Sequence, residues 1–188
     1  MEKLKTYLER MGPIPQADWE LFATYLQQRC FSKKTVILQP GMVENHLSFI
    51  ESGITRHYTE QGEKEITFDI GFENTFGTAY DSFLTRQPCT YFVAALTDVV
   101  QWSIQYDHLQ EIYLRTSVGQ KIGRLSAEEQ FVRKSKRQIS LLKDTAEQRY
   151  LGLFTDYPHL LQHIPLKYLA SYIGITPQAL SRIRKRIS

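Results

Sequence analysis

The chain has 188 residues, 42% of them hydrophobic and 23% charged, and a net charge of +3. These values fit one or two globular domains and exclude a largely disordered or collagen-like chain. No apolar run approaches the roughly 20 residues of a spanning helix, the charged start Met1–Arg10 has no signal core, and two distant cysteines, Cys30 and Cys89, make no disulfide framework, so the expected location is the cytoplasm.

The net charge hides an asymmetry. Residues 1–114 carry 9 Lys and Arg against 15 Asp and Glu, whereas residues 115–188 carry 14 against 5. A polyanion is drawn to the second part and repelled by the first.

Residues 1–30 read as helical, with Trp19, Phe22, Ala23 and Leu26 on one face. From Phe31 to Ser103 the pattern changes to short strands. Val36–Leu38 stops at Pro40-Gly41, Leu47 and Phe49 alternate before Gly53, Ile54, Arg56 and Tyr58 before Gly62, and Ile66, Phe68 and Ile70 before Gly71. Turn signals about every ten residues are the rhythm of a β-roll, barrel or sandwich. Tyr91–Trp102 supplies the last strands.

After Asp107 the period becomes helical. Val118, Ile122, Leu125 and Val132 form a coiled-coil-like stripe, with Glu129 at the skipped position. The stripe can pack on its own β-domain or on a second copy, and its charged flanks favour a dimer seam. Arg133, Lys134, Lys136 and Arg137 then mark a hinge or a solvated helix end. Residues 138–156 read as another helix, ending at Tyr157-Pro158.

The sharpest pattern lies in residues 164–187. Leu166, Leu169, Ala170 and Ile173 share one helix face, Gly174 follows where a helix end favours a left-handed backbone, and Ile175 fills the corner. Thr176 is a good N-cap, with Pro177 at the first helical position. In the second helix Leu180, Ile183 and Ile187 are expected to point inward. The small Ala170 allows close helix approach, so the segment reads as a helix-turn-helix. Its outer edge carries Gln178, Ser181, Arg182 and Lys185 at i, i+3, i+4, i+7, with side chains that can hydrogen-bond base edges. Lys167, Arg184 and Arg186 are phosphate-contact candidates. A structural hairpin is the plain alternative, but the cap, glycine, small residue and basic edge together favour double-stranded DNA.

These segments in this order resemble the CRP/FNR superfamily of bacterial transcription regulators over nearly the whole chain. Leu47–Gly53 resembles that family's strand-turn signature, Phe72–Gly77 the approach to its phosphate-binding cassette, and Ser181-Arg182 the Ser-Arg pair of its recognition helix. Gln178 stands where the family usually has Glu, and Pro177 where some members have Arg.

The resemblance implies an α+β fold: an N-terminal double-stranded β-helix (β-roll or jelly roll) with flanking helices, a long central dimerisation helix at about 107–136, and a C-terminal helix-turn-helix. The expected domains are 1–137 and 138–188, the latter with or without a wing. A homodimer coupled through the central helix is implied, with RNA polymerase as a further partner. In the cassette, Gly77-Thr78-Ala79 replaces the family's Gly-Glu-Leu, and Cys89-Thr90-Tyr91 replaces its Arg-Ser/Thr-Ala. The ribose carboxylate and the phosphate arginine are both missing. Arg86, three residues upstream, is the one candidate to compensate within this effector-pocket set, and the expectation is that it does not. An unpaired buried phosphate charge is costly, so the expectation is no cofactor and no cyclic-nucleotide binding.

No nucleophile–base pair or phosphate loop is present, so no enzyme is expected. Two other readings are a cupin-like β-barrel metalloprotein and an AraC-like regulator. The first lacks its His-x-His pair, leaving only a weak grouping of His46 and His57 with Glu44 or Glu51, and the second uses two helix-turn-helix units. His108 shows no partner pattern, and His159 and His163 lack the surrounding HExxH of a zinc helix.

Overall fold

A computed structural model describes residues 1–158 and 161–187. His159 therefore lies outside the described residues. Helices α1 (Glu2–Glu9) and α2 (Gln16–Tyr25) precede seven antiparallel strands, with a short helix inserted before the sixth. Leu26 closes α2 rather than continuing it. Strands β1 (Gln27–Phe31), β7 (Val99–Gln105) and β3 (His46–Ser52) form one sheet in the order β1-β7-β3. Strands β2 (Val36–Leu38), β6 (Phe92–Ala95), β4 (Thr55–Gln61) and β5 (Lys64–Gly71) form the other, in the order β2-β6-β4-β5. Helix α3 (Tyr80–Thr85) lies between β5 and β6. This is the expected β-roll, and Ile50, Ala95 and Val99 pack within it.

Gly53 shows why the β3–β4 turn needs glycine. Its φ is +94°, and an added Cβ would come within 2.2 Å of the Asp98 carbonyl oxygen. In β5 the alternation differs from expectation: Thr67 and Asp69 are buried while Ile66 and Phe68 are exposed. A register shift opposite His57–Tyr58 changes the side-chain phase, because one extra residue sends the next to the other face.

Helix α4 (Tyr106–Arg115) follows the roll, then a break at 116–118, then the 25-residue α5 (Gly119–Lys143). The expected single helix at 107–136 is thus two. The break is stabilised by the Thr116 hydroxyl, which accepts from Gly119 N–H and donates to the Ile112 carbonyl. Residue 138, the expected boundary, lies inside α5. The helix ends at Asp144, and Thr145 starts α6 (Ala146–Asp156) with a reciprocal capping box to Gln148. A short 3-10 turn (Leu161–His163) leads to α7 (Leu166–Ile173) and α8 (Pro177–Ile187). Among the described residues no strand follows β7.

Two large apolar clusters position these parts. One joins α1, α2 and α4 to Phe49, Phe83 and Ile104 of the roll and to Ile122 of α5. The other runs from Ile54, Ile70, Phe72 and Leu96 of the roll into Tyr150, Leu169, Ile173, Leu180 and Ile183. The C-terminal helices therefore share a core with the roll, and α7 lies along β5, where Thr67 N–H donates to Ser171 Oγ at 2.8 Å. No described helix is long and apolar enough to cross a membrane.

Candidate nucleic-acid interface and effector cavity

The corner between α7 and α8 follows from local chemistry. Gly174 has φ +78° and caps α7 in the left-handed conformation. The Thr176 hydroxyl accepts from Ala179 N–H at 3.2 Å, capping α8. Ala170 and Leu180 are fully buried where the helices meet, and Ile183 is buried beside them. Ile187 differs from expectation: it is exposed, since the end of α8 extends past the apolar cluster.

On the other side of α8, Gln178, Arg182 and Lys185 are exposed and Ser181 is half-buried, so the predicted edge faces solvent as one stripe. Thr176 and Lys167 are exposed near it, and the Lys167 ammonium lies 4.7 Å from the Tyr168 ring. Arg184 is exposed. Arg186 is ion-paired with Glu147 of α6, which ties the end of α8 to its own domain.

The predicted seam divides. Ile122 is buried in its own molecule and Val118 packs against the same cluster, so neither is available to a second copy. Glu129 accepts from Tyr7 Oη at 2.7 Å and from Arg10 at 2.9 Å, fastening α1 to α5. Leu125 and Val132 lie outside that cluster. Leu125, Val132 and Ile139 recur every seven residues, and Phe131 and Leu142 are 72% and 85% exposed beside them. The free stripe runs about two turns further, from Val132 to Ile139, toward the C-terminal helices than the sequence pattern indicated.

Of the pseudo-cassette residues, Ala79, Cys89 and Tyr91 pack in one cluster, while Gly77 and Thr78 bond to β3. Gly77 N–H donates to the Ser48 carbonyl, and the Thr78 hydroxyl accepts from Ser48 N–H at 2.7 Å. An added Cβ at Gly77 would lie 2.4 Å from Ile50 Cδ1, so the chain there is closely packed. Ala79 is fully buried and leads into α3. Arg86 is engaged within the chain. Its guanidinium donates to the Glu44 and Phe83 carbonyls and to Asn45, and lies over Tyr106. Cys89 is buried, its thiol directed at the Tyr91 carbonyl, while Thr90 is exposed. The Tyr91 hydroxyl donates to the Asp81 carboxylate. The Thr78 and Tyr91 hydroxyls and the Arg86 guanidinium thus each have a partner within the chain.

A cavity of about 90 Å³ lies between the roll and α5, lined by apolar side chains together with Gly77, Thr78, His57 and Asp69. Burial lowers the His57 pKa to about 4, so its imidazole is neutral near pH 7. His46 instead sits 3.8 Å from Glu44, and no group of three metal-ligating side chains occurs among the described residues. At one end of the cavity Asp69 accepts from Lys134 at 2.5 Å, with Arg133 at 3.5 Å. Burial raises its carboxyl pKa, but the two cations outweigh that and leave it below the usual range.

Sequence reasoning missed this clamp and its neighbours. Arg56 is buried, pairs with Glu65 at 2.6 Å, and lies between the Tyr58 ring at 4.1 Å and the Tyr168 ring of α7 at 3.7 Å. Arg137 donates to the Tyr172 carbonyl and stacks 3.6 Å over the Tyr172 ring. The predicted hinge at 133–137 is thus continuous helix pinned to both halves of the molecule. A carboxylate set between Phe68 and Ile70 was the available sequence signal for Asp69.

Residues 28–116 match the cyclic nucleotide-binding domain family. No curated protein matches the chain by sequence. Among solved structures, FixK2 from Bradyrhizobium japonicum superposes with a TM-score of 0.70 at 13% identity, covering 86% of this chain and 84% of that one. TTHA1359, a CRP/FNR-family transcriptional regulator from Thermus thermophilus, gives 0.65 at 16%, covering 86% and 85%. The c-di-GMP-responsive global regulator CLP from Xanthomonas campestris gives 0.65 at 14%, covering 92% and 91%. Residues 28–116 are therefore similar to the cyclic nucleotide-binding domain family, and the chain as a whole has the fold of these solved regulators.

Proposed function

We propose that the protein is a cytoplasmic, homodimeric, sequence-specific DNA-binding transcription regulator. The observation that carries this reading is the α8 edge: Gln178, Arg182 and Lys185 open to solvent behind a buried seam of Leu180 and Ile183. Arg182 offers a bidentate guanidinium for guanine and Gln178 an amide for adenine, with Ser181 between them. Lys167, Arg184 and Arg186 supply phosphate contacts, and Thr176 N–H lies at the positive end of α8. The sensor unit runs through α5, and the DNA-binding unit begins at Asp144.

The second copy packs on Leu125, Phe131, Val132, Ile139 and Leu142, because an exposed heptad stripe of this size on one helix is an association surface. Two-fold symmetry then presents two α8 helices to half-sites about 34 Å apart. Cyclic AMP is not the effector in this reading. Ligand sites usually occupy roughly 300–1,000 Å³, the cavity here is about 90 Å³, and Arg86 is already bonded. Contact with RNA polymerase completes the proposal.

The test is selection from a random DNA pool with the purified protein. Enrichment of a near-palindrome by the wild type, and its loss with Arg182→Ala, is expected. A pool that stays random counts against the whole reading.

A further inference from the structure

A second, larger cleft of about 470 Å³ opens where α5, α6 and α7 meet beside β5. Five cationic side chains line it: Arg133, Lys134, Lys136, Arg137 and Arg149. The carboxylates on its wall are Asp69, Asp144 and Asp156, so positive charge is in excess. Asp69 is already taken by Arg133 and Lys134.

The remaining cations are gathered rather than dispersed. Arg137 from α5 donates to the Tyr172 carbonyl, and Arg149 from α6 donates to the next one, that of Ile173, at 2.8 Å. Two guanidiniums are thereby held side by side at the C-terminal end of α7. The partial negative charge of a helix end offsets only part of their repulsion. The Arg137 Nε–H is buried and has no acceptor among the described residues. Lys136 is exposed on the same wall. Arg149 also donates to the Asp144 carbonyl at 2.5 Å, so both guanidiniums are held by backbone carbonyls while the Arg137 Nε–H stays unpaired among the described residues. Fixed, crowded cations with a donor left over are what a multiply charged oxyanion needs, since charge-assisted and bidentate bonds to guanidinium are the strong ones.

We infer that the cleft between α5, α6 and α7 is a binding site for a small multivalent phosphate anion, of pyrophosphate to nucleoside-diphosphate size, held by Arg137, Arg149 and Lys136. The cleft is concave and walled on three sides by helices, so it admits a metabolite and not a duplex. It meets the smaller cavity between the roll and α5 only at the shared Asp69, Arg133 and Lys134, and it does not depend on DNA recognition by α8. An occupant bridges the central helix to α6 and to the first helix of the helix-turn-helix, so binding stiffens the seat of the DNA-reading unit.

The test uses the full chain, with inorganic pyrophosphate and adenosine diphosphate as probes, in calorimetric titration and thermal melting at constant ionic strength. One saturable site per chain is expected for at least one probe, with the melting temperature raised by about 5–10 °C at 100 times Kd. The tighter probe tells whether phosphate alone or a nucleoside is recognised. Lys136→Glu changes an exposed residue, so it should melt with the wild type without ligand yet bind about tenfold or more weakly. Arg137→Lys, which keeps the charge but loses the planar donors, should also weaken binding. Arg182→Ala/Lys185→Ala, which alters only the α8 edge, should bind both probes as the wild type does. Absence of saturable binding overturns the inference, and so does binding that survives Lys136→Glu but disappears with the α8 double variant.

Discussion

Asp69→Asn tests whether the roll is locked to the central helix by charge. The Asp69 side chain is only 8% exposed and faces Lys134 at 2.5 Å and Arg133 at 3.5 Å. Asn keeps the shape and can keep the second oxygen's bond to Ile70 N–H at 3.0 Å, so the substitution removes mainly the charge. Breaking a buried pair typically costs about 3–5 kcal/mol, because the surviving charge is left without water or partner. Here the survivors can reach water: Lys134 is 54% exposed and Arg133 31%. The expected loss is therefore smaller, about 1–2 kcal/mol. For a chain of this length that lowers the melting temperature by about 2–8 °C. The sign with pH is also set. The native carboxyl pKa is depressed, so its contribution is present above the unfolded pKa and lost as pH falls through the native one. Urea denaturation at pH 7 and in acid should show a gap between wild type and variant that closes in acid. A variant as stable as the wild type at pH 7, or a gap unchanged in acid, refutes the clamp.

Arg182→Ala should cost about 1–3 kcal/mol on the selected site and relax base preference there, measured by fluorescence anisotropy; equal loss on random DNA argues against base reading. Wild-type affinity should fall steeply with salt, whereas a flat response contradicts phosphate contacts. Leu142→Glu places a charge on the 85%-exposed end of the stripe and should shift sedimentation toward monomer without lowering helix content; an unchanged dimer places the interface elsewhere. Stability should fall by about 3 kcal/mol between pH 6.5 and 4 through His57, because the unfolded chain binds a proton there that the buried imidazole refuses; His57→Gln should flatten that slope, and an identical pH profile would remove His57 from the account. Gly174→Ala should lose about 1 kcal/mol by thermal melting, since φ is +78° but the new Cβ meets nothing closer than 3.7 Å.

The features legible in the sequence are those set within a few residues. The helix-turn-helix corner is one: Gly174 supplies the left-handed turn, Thr176 the cap, and Ala170, Leu180 and Ile183 the buried seam, all within a single short segment. The strand rhythm of the roll is another, because hydrophobic alternation and turn glycines are local. Even there the phase of β5 was not legible, since it depends on a bulge created by pairing with β4.

What tertiary structure decided is which of several plausible faces is used. An apolar stripe on α5 reads the same whether it packs inward or outward. Ile122 turned out to be core because α1, α2 and α4 cover it, while Val132, Ile139 and Leu142 remain exposed because no described residue covers them. Likewise Arg86 bonds to the Glu44 carbonyl and the Asn45 side chain, 42 and 41 residues away, and Asp69 found its cations 64 and 65 residues away. Composition and periodicity report the properties of neighbours in sequence. Burial, ion pairing and the crowding of Arg137 against Arg149 depend on neighbours in space, which the packing of the roll against the C-terminal helices alone brings together.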